Sequence, residues 1–174
     1  MSRDLEFDDV IVGGGTAGCV LAARLAAESN GTVALLERGQ RDTNRWIHIP
    51  ATFFKALQSQ DSDAVVSESD PSLNGKPFPV PQGKVLGGGS SVNGMIYMRG
   101  QHRDYDDWAD EHGCTGWAYK DVLPVFRRQE ANTRIRDDYH GIQGKLVVDD
   151  PSEAHPVSRQ IIAAAVSAGV PETD

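Results

Sequence analysis

The sequence predicts an α/β fold that opens with a strand, a helix and a second, parallel strand. Residues 10–12 form a short β-branched run, which is typical of a buried strand. Apolar residues then recur at helical spacing from Ala17 to Leu25. After a turn at Asn30-Gly31, residues 32–36 form a second strand-like apolar run. This order of elements is that of a Rossmann-like βαβ unit with a parallel sheet.

The turn between the first strand and the helix has the glycine spacing of dinucleotide-binding folds. Gly13 permits a tight turn, Gly15 lets the backbone approach a pyrophosphate, and Gly18 lets the helix pack close to the strand. The helix that begins near Thr16 directs unpaired N–H groups and the positive end of its dipole at that pyrophosphate. Glu37 ends the second strand, where an acid accepts hydrogen bonds from ribose hydroxyls and disfavours the 2′-phosphate of NADP. The combination favours a dinucleotide site over a purely structural glycine turn.

Charge and composition narrow the classes of partner. The 174 residues carry a net charge of −8 with a pI of about 5.0, which argues against nucleic acid or an anionic membrane. No window approaches the ~20 apolar residues of a membrane span, and residues 1–9 lack the regions of a signal peptide. Cys19 and Cys114 form no metal or redox spacing, and Cys19 is expected to be a small packing residue. We expect one domain, or part of a larger one, in the cytoplasm.

Periodicity fails between residues 39 and 82. A short helix is expected from Pro50. Prolines further on are expected to forbid a regular element: Pro77, Pro79 and Pro81. Irregular loops of this length are uncommon unless they are functional or disordered, so the segment is either a flexible insertion or a cover over the cofactor. Aromatic residues that would suit a buried face favour the cover: Trp46, Phe53, Phe54 and Phe78.

A second glycine-rich stretch lies at residues 83–94. Gly87-Gly88-Gly89-Ser90-Ser91 precedes apolar residues 95–98, which predicts a flexible loop that enters a capped helix. Such a loop is a potential second phosphate cradle. Physical reasoning alone makes a linker equally common. The immediate return of apolar residues favours the cradle.

The remaining chain predicts three helices and one strand. The helices are expected at residues 102–112, 119–130 and 156–168, and the strand at 144–148. A doubly wound dinucleotide domain needs five or six parallel strands. The sequence offers two convincing strands and residues 146–148, so the chain has the pattern of part of a fold.

No catalytic constellation is evident. The sequence has five histidines: His48, His102, His112, His140 and His155. None lies in a zinc- or iron-binding spacing, and no serine lies in a G-x-S-x-G elbow. His140 is expected to be a turn residue rather than a base. We therefore predict no catalytic residue in this chain and no metal site.

Several stretches together resemble one enzyme family. Residues 9–22, which include the first glycine turn, closely resemble the start of the glucose–methanol–choline (GMC) oxidoreductases. Residues 83–93, continuing through Tyr97, Gly100 and Asp106, match the first signature of that family along its whole length. Residues 104–109, 116–119 and 139–141 look like its downstream landmarks. The resemblance covers essentially the entire chain and resolves the choice at residues 87–91 in favour of a phosphate cradle.

The resemblance implies FAD, and oxidation of a small alcohol by hydride transfer to the flavin N5. It places the cofactor-binding residues at Gly13, Gly15, Thr16, Ala17, Gly18, Glu37, Arg38, Val85, Gly88, Ser90, Asn93, Gly94, Met95 and Ile96. Thr16 and Ala17 would flank the pyrophosphate, and Glu37 with Arg38 the adenosine ribose. Members that attach flavin covalently have a histidine where this chain has Val92, so we expect non-covalent FAD.

The resemblance also implies how the domains are divided. Residues 1–130 would be the N-terminal part of the FAD-binding domain, with residues 39–82 as the lid. Residues 131–174 would begin an α+β substrate-binding domain. The catalytic histidine of the family would lie outside this chain, and a second polypeptide is expected to complete the fold. Two alternatives remain, a hydroxynitrile lyase of the same family and a truncated, non-catalytic nucleotide-binding fragment.

Overall fold

The computed structural model describes residues 5–151 and 154–172, which divide into two compact units at Ile96 and Tyr97. The helices and strands are β1 (Asp9–Val12), α1 (Thr16–Glu28), β2 (Val33–Leu36), α2 (Phe53–Leu57), β3 (Ser62–Val66), β4 (Pro79–Gly83), α3 (His102–Asp110), α4 (Tyr119–Gln129), β5 (Glu130–Asn132), β6 (Leu146–Val148) and α5 (Pro156–Ser167). Short 3-10 turns occur at Pro50–Thr52, Pro71–Leu73 and Gly88–Ser91. The strands form three two-stranded sheets within the described residues.

The predicted βαβ unit is confirmed. β1 and β2 are parallel, with Asp9 opposite Val33 and the register continuing through both strands. α1 connects them. Ahead of β1, one carboxylate oxygen of Asp8 accepts hydrogen bonds from the N–H (2.7 Å) and the hydroxyl (2.8 Å) of Thr32. These bonds, the N–H first, lower the pKa of Asp8 below its ordinary value and hold together the chain segments that lead into both strands.

The expectation that prolines forbid a regular element at residues 77–81 is wrong. β4 runs through Pro79 and Pro81 and pairs antiparallel with β3. Next to this pairing, the N–H of Ser67 donates to the C=O of Phe78 at 2.9 Å. Hydrogen-bonded and non-hydrogen-bonded pairs alternate in an antiparallel ladder, so Pro79 and Pro81 occupy positions whose N–H would not face β3. The prolines therefore remove no hydrogen bond from this edge strand.

The core of the first unit lies between the 39–82 segment and the second glycine loop. Ala56, Val85 and Val92 are its most buried apolar residues, each no more than 3% exposed. The partly buried residues that pack against them are Trp46, Ile47 and Leu57. The predicted short helix from Pro50 is confirmed, because the 3-10 turn there continues into α2 and supplies Ala56 to the core.

The expected buried face of four aromatic residues does not form within this chain. Trp46 packs against the core, whereas Phe53, Phe54 and Phe78 are 38%, 48% and 56% exposed. Consecutive residues of a helix point in different directions, so Phe53 and Phe54 cannot both face the core. Their rings meet edge to face, with centroids 6.0 Å apart.

The helix predicted at residues 95–98 is also wrong, since the described backbone there is irregular. The side-chain oxygen of Asn93 accepts the N–H of Met95 at 2.8 Å, and Met95 takes a left-handed conformation with φ of 58°. A local side-chain bond of this kind competes with helix formation, and a left-handed residue cannot continue an α-helix. The serines therefore belong only to the 3-10 turn Gly88–Ser91, and no α-helix follows them.

The predicted elements of the second unit are confirmed. α3, α4, β6 and α5 lie within one or two residues of their predicted bounds, and Gly169 follows α5 with φ of 92°. β5, which the sequence did not predict, pairs in parallel with β6. His140 belongs to a local turn, where its N–H and ring Nδ1 both contact the Asp137 carboxylate at 2.9 and 2.8 Å. The side-chain bond to His140 lowers the pKa of Asp137.

A buried ion pair anchors the second unit. Glu130 is fully buried, and its carboxylate contacts the guanidinium of Arg99. Further donors to that carboxylate are the Asn132 side-chain amide at 2.9 Å and the Gly141 N–H at 3.3 Å. The pair fixes the start of β5 against the chain that enters this unit. The structural division at Ile96 differs from the domain boundary predicted at residue 130, which stays a prediction.

Candidate cofactor site

The first glycine loop turns tightly from β1 into α1. Gly13 has a φ of 98°, a conformation that L side chains rarely adopt, and its N–H donates to the C=O of Leu36 at 2.7 Å. A Cβ on Gly18 would lie 1.9 Å from the carbonyl oxygen of Gly13. The helix therefore packs against the loop at a distance that only glycine allows.

The amino end of α1 is open to an anion. Gly15 is the N-cap residue and provides no side-chain cap, and the first turn contains no acidic residue. Thr16 and Ala17 are exposed, and a Cβ on Gly15 would meet only the Gly88 Cα, at 3.9 Å. The free N–H groups and the positive dipole end of the helix thus face a space that a phosphate group could occupy.

The second glycine loop lies directly against the first. Gly87 and Gly88 have φ values of 92° and 55°, and the Gly87 N–H donates to the C=O of Gly14 at 2.7 Å. A Cβ on Gly88 would lie 2.7 Å from the Gly15 Cα. At the base of the loop, the Leu86 N–H donates to the C=O of Gln40 at 2.9 Å. The two loops are therefore in backbone contact, and Gly87 and Gly88 of the second loop leave no room for a side chain there.

A pair of hydroxyl groups joins the two loops on their exposed side. The Oγ1 of Thr16 and the Oγ of Ser90 are 2.6 Å apart. Thr16 is the first residue of α1, and Ser90 lies in the Gly88–Ser91 turn. Both residues are exposed, so the hydroxyls lie beside the open amino end of the helix.

The acidic and basic residues at the end of β2 have defined partners. The carboxylate of Glu37 accepts the N–H of Gly14 through Oε2 and the N–H of Gly39 through Oε1, both at 2.7 Å. Arg38 is exposed and pairs with Asp63 at 2.9 Å. Glu37 thus holds the first glycine loop through the Gly14 N–H. Each of its carboxylate oxygens keeps a lone pair that can accept a further hydrogen bond.

The other predicted residues fall into two groups. Val85 is fully buried, and its side chain packs into the core. Asn93, Gly94, Met95 and Ile96 follow the second loop as exposed chain, with the Ile96 side chain 81% exposed. The structure therefore brings the glycine loops, Glu37 and Ser90 together, and it leaves residues 93–96 as an exposed segment beside them in sequence.

Gly14 joins the parts of the candidate site, although sequence reasoning gave it no role. It is buried, its N–H donates to Glu37, and its C=O accepts the Gly87 N–H. The same carbonyl lies 3.1 Å from the thiol of Cys19, which is half-buried. Runs of three glycines in both loops were the available signal, because each run allows one loop to approach the other.

The described chain contains no candidate metal cluster and no candidate membrane span. No group of three or more His, Cys, Asp and Glu residues within 5–151 and 154–172 could hold a metal ion. Across the same ranges, no helix combines the length and the apolar character that crossing a membrane requires.

A strand, a glycine turn, a helix with an uncapped amino end and an adjoining second glycine loop define a dinucleotide-binding α/β protein. The family model described as GMC oxidoreductase matches residues 7–174. The chain belongs to the GMC oxidoreductase family, of which it represents the FAD-binding N-terminal region, and FAD is its cofactor. The open cradle at Gly15 and the hydroxyl pair fit the pyrophosphate of that cofactor.

Curated relatives and solved structures agree with this assignment. The chain is 39% identical over 178 residues to an oxygen-dependent choline dehydrogenase of Pseudomonas savastanoi, covering 100% of this chain and 31% of the relative. It is 39% identical over 166 residues to an alcohol dehydrogenase [acceptor] of Pseudomonas putida, covering 94% of this chain and 30% of the relative. The crystal structure of pyridoxine 4-oxidase from Mesorbium loti matches with a TM-score of 0.86 and 34% identity, over 95% of this chain and 33% of that chain. The chain therefore spans about a third of the length of the relatives it matches.

Proposed function

We propose that this chain forms the FAD-binding part of an enzyme that oxidises the CH–OH group of a small alcohol. The observation that carries the proposal is the direct contact of two glycine loops beside the open amino end of α1. Relatives named choline dehydrogenase and alcohol dehydrogenase support an alcohol as the substrate class. The flavin, when bound, supplies the chemistry by accepting a hydride at N5.

Binding of the pyrophosphate is the task of the two loops. The N–H groups of Thr16 and Ala17 would donate to the phosphate oxygens, and the dipole of α1 would offset their negative charge. Gly15 and Gly88 carry no Cβ, so backbone can approach the phosphates closely. The hydroxyls of Thr16 and Ser90, 2.6 Å apart, can each turn their hydrogen toward an oxygen of the ligand.

The two ends of the cofactor would meet different chain segments. At the adenosine end, Glu37 and Arg38 follow β2, and the lone pairs of Glu37 that are not bonded to Gly14 and Gly39 would accept ribose hydroxyls. At the other end, residues 93–96 would run toward the isoalloxazine ring. Val92 is 3% exposed and packs in the core, which supports non-covalent attachment.

The catalytic acid–base residue would come from sequence outside this chain, and a second polypeptide would complete the fold. Exposed apolar side chains support this step. On the βαβ unit they are Val10, Val12, Val20 and Leu36, and on α5 they are Val157, Ile161, Ile162 and Val166. Faces of this kind are normally covered by further polypeptide. The lid at residues 39–82, the domain boundary at 130 and a cytoplasmic location remain predictions.

The test is anaerobic reduction of the complete flavoprotein that contains this chain. Addition of choline, and of other small primary alcohols in parallel, is expected to bleach the visible absorption band of the flavin. A flavin-free protein would contradict the proposed cofactor role. A flavin that stays oxidised with every alcohol while a cyanohydrin is cleaved would replace the oxidoreductase assignment with a lyase.

A further inference from the structure

We propose that Asp61 is a positioning residue, which fixes the second glycine loop against the first and thereby shapes the pyrophosphate cradle. This inference rests on the proposed function of the two loops. Asp61 does not belong to either glycine loop. It lies in the turn immediately before β3, inside the 39–82 segment, and it is 3% exposed. A buried carboxylate at this place requires an explanation, because burial of a charged group is costly unless its hydrogen bonds are satisfied.

Neutral donors, rather than a cation, satisfy the Asp61 side chain. Its Oδ2 accepts the side-chain N–H of Asn44 at 2.6 Å and lies 3.2 Å from the Ser59 hydroxyl. Asn44 is itself oriented, since its Oδ1 accepts the N–H of Trp46 at 3.1 Å. No ion pair within residues 5–151 and 154–172 involves Asp61. The carboxylate therefore ties together the two ends of the segment between residues 44 and 61.

The main chain of Asp61 bonds directly to the base of the second glycine loop. Its carbonyl oxygen accepts the N–H of Lys84 at 2.7 Å. The next residue, Val85, is fully buried and packs with Ala56 and Val92. Asp61 thus holds Lys84, where the second glycine loop leaves β4. The buried Val85 side chain anchors the next residue in the core.

Between Lys84 and the first glycine loop, the second glycine loop is packed tightly along its backbone. A Cβ on Gly83 would lie 2.2 Å from the carbonyl oxygen of Gly88. The Gly87 N–H then bonds to Gly14, and Ser90 meets Thr16. A shift of Lys84 and Val85 would displace both contacts together, because the glycines of the second loop pack closely through their backbone atoms.

A neighbouring aspartate provides a matched control. Asp63 lies two residues further on, is 40% exposed, and forms exposed ion pairs with Arg38 at 2.9 Å and Lys84 at 3.4 Å. Exposed pairs of this kind contribute little to stability. Both aspartates contact the same part of the chain, but only Asp61 does so from a buried position. Asp63→Asn should therefore leave the loop in place.

The experiment combines hydrogen exchange with FAD binding. Asp61→Ala removes the acceptor of the Asn44 amide, and Asn44→Asp places two carboxylates in hydrogen-bond contact. Each variant should raise amide exchange at residues 84–92 in the FAD-free protein about tenfold and weaken FAD binding by a similar factor. The double variant Asn44→Asp/Asp61→Asn reverses donor and acceptor, so it should return both quantities to within about twofold of wild type.

Amide exchange in the second unit and in α1 serves as the reference. It should stay unchanged if Asp61 positions the loop, and it should rise if the substitution unfolds the protein generally. Unchanged exchange at residues 84–92 in Asp61→Ala would overturn the inference. An equal rise at all sites, with no recovery in the double variant, would overturn it as well. If the wild-type flavoprotein proves to hold no FAD, the proposed function fails, while exchange at residues 84–92 still decides the role of Asp61.

Discussion

The two glycine-rich loops of the first unit differ in what holds them. The first, residues 13–18, runs from the end of β1 into the first turn of α1, a helix of 13 residues, and its partners Leu36 and Glu37 lie at the end of β2 in the same βαβ unit. The second, residues 87–91, contains a 3-10 turn of only four residues. Long-range partners hold this second loop through Gln40, Asp61 and Gly14.

Two similar glycine-rich loops can therefore be specified by the sequence in different ways. A strand and a helix that pack on each other define the turn between them, so the first loop is specified locally. A 3-10 turn is short and has poorer hydrogen-bond geometry, so the second loop depends on contacts from distant parts of the chain. Four sets of substitutions test this contrast, and they follow in decreasing order of the effect that we expect.

Gly18→Ala tests whether close packing outweighs helix propensity in the first loop. Alanine favours a helix over glycine by about 1 kcal/mol. Its Cβ, however, would lie 1.9 Å from the Gly13 carbonyl oxygen, so backbone must move. We expect a net loss of about 3 kcal/mol in the free energy of unfolding, measured by chemical denaturation. Gly15→Ala, with only one atom within 4 Å at 3.9 Å, is the control and should weaken FAD binding more than stability. A stabilised Gly18→Ala protein would contradict the close approach.

Gly88→Ala tests the backbone contact between the loops. Gly88 has a φ of 55°, and its added Cβ would meet the Gly15 Cα at 2.7 Å. The left-handed conformation alone costs a non-glycine residue about 1–2 kcal/mol, and we expect a loss of about 2 kcal/mol together with weaker FAD binding. Gly89→Ala is the matched control, since no heavy atom lies within 4 Å of its added Cβ. Equal stability of the two variants would mean that the loops are not in contact at Gly88.

The hydroxyl pair offers a smaller change, measured by a double-mutant cycle. Thr16→Val and Ser90→Ala each remove one partner of the 2.6 Å contact. Because both residues are exposed, we expect a coupling of about 0.5 kcal/mol in the FAD-free protein. Both single variants should weaken FAD binding further, since each hydroxyl would face the phosphates. A coupling of zero would show that the hydroxyls do not join the loops.

The smallest effect should be the contribution of the Asp8–Thr32 hydrogen bonds to the pH dependence of stability. Bonds from Thr32, its N–H first, lower the pKa of Asp8 in the folded protein. A lowered folded-state pKa gives stability that is present above the ordinary aspartate pKa and is lost as the pH falls through the folded-state value. The acid limb of a stability–pH curve should therefore be shallower in Asp8→Asn than in wild type. Identical acid limbs in Asp8→Asn and wild type would show that the Asp8–Thr32 hydrogen bonds do not form.

The elements that could be predicted from the sequence are those whose signals are local. Apolar periodicity and glycine spacing specified β1, α1 and β2, and Pro50 specified the start of the short helix. The roles of Gly13 and Gly18 were predictable for the same reason, since the turn and the helix packing lie within a few residues. α3, α4 and α5 also follow from patterns along one stretch of chain.

Features that depend on partners far along the chain could not be predicted from the sequence and became visible in the folded structure. Pro79 and Pro81 stand in a strand because β3 needs no N–H from them. The burial of Asp61 and its bond to Lys84 join segments that no local pattern relates. A hydrogen bond across twenty or more residues leaves no periodic trace in the sequence, because each partner is an ordinary polar group until the fold brings the two together.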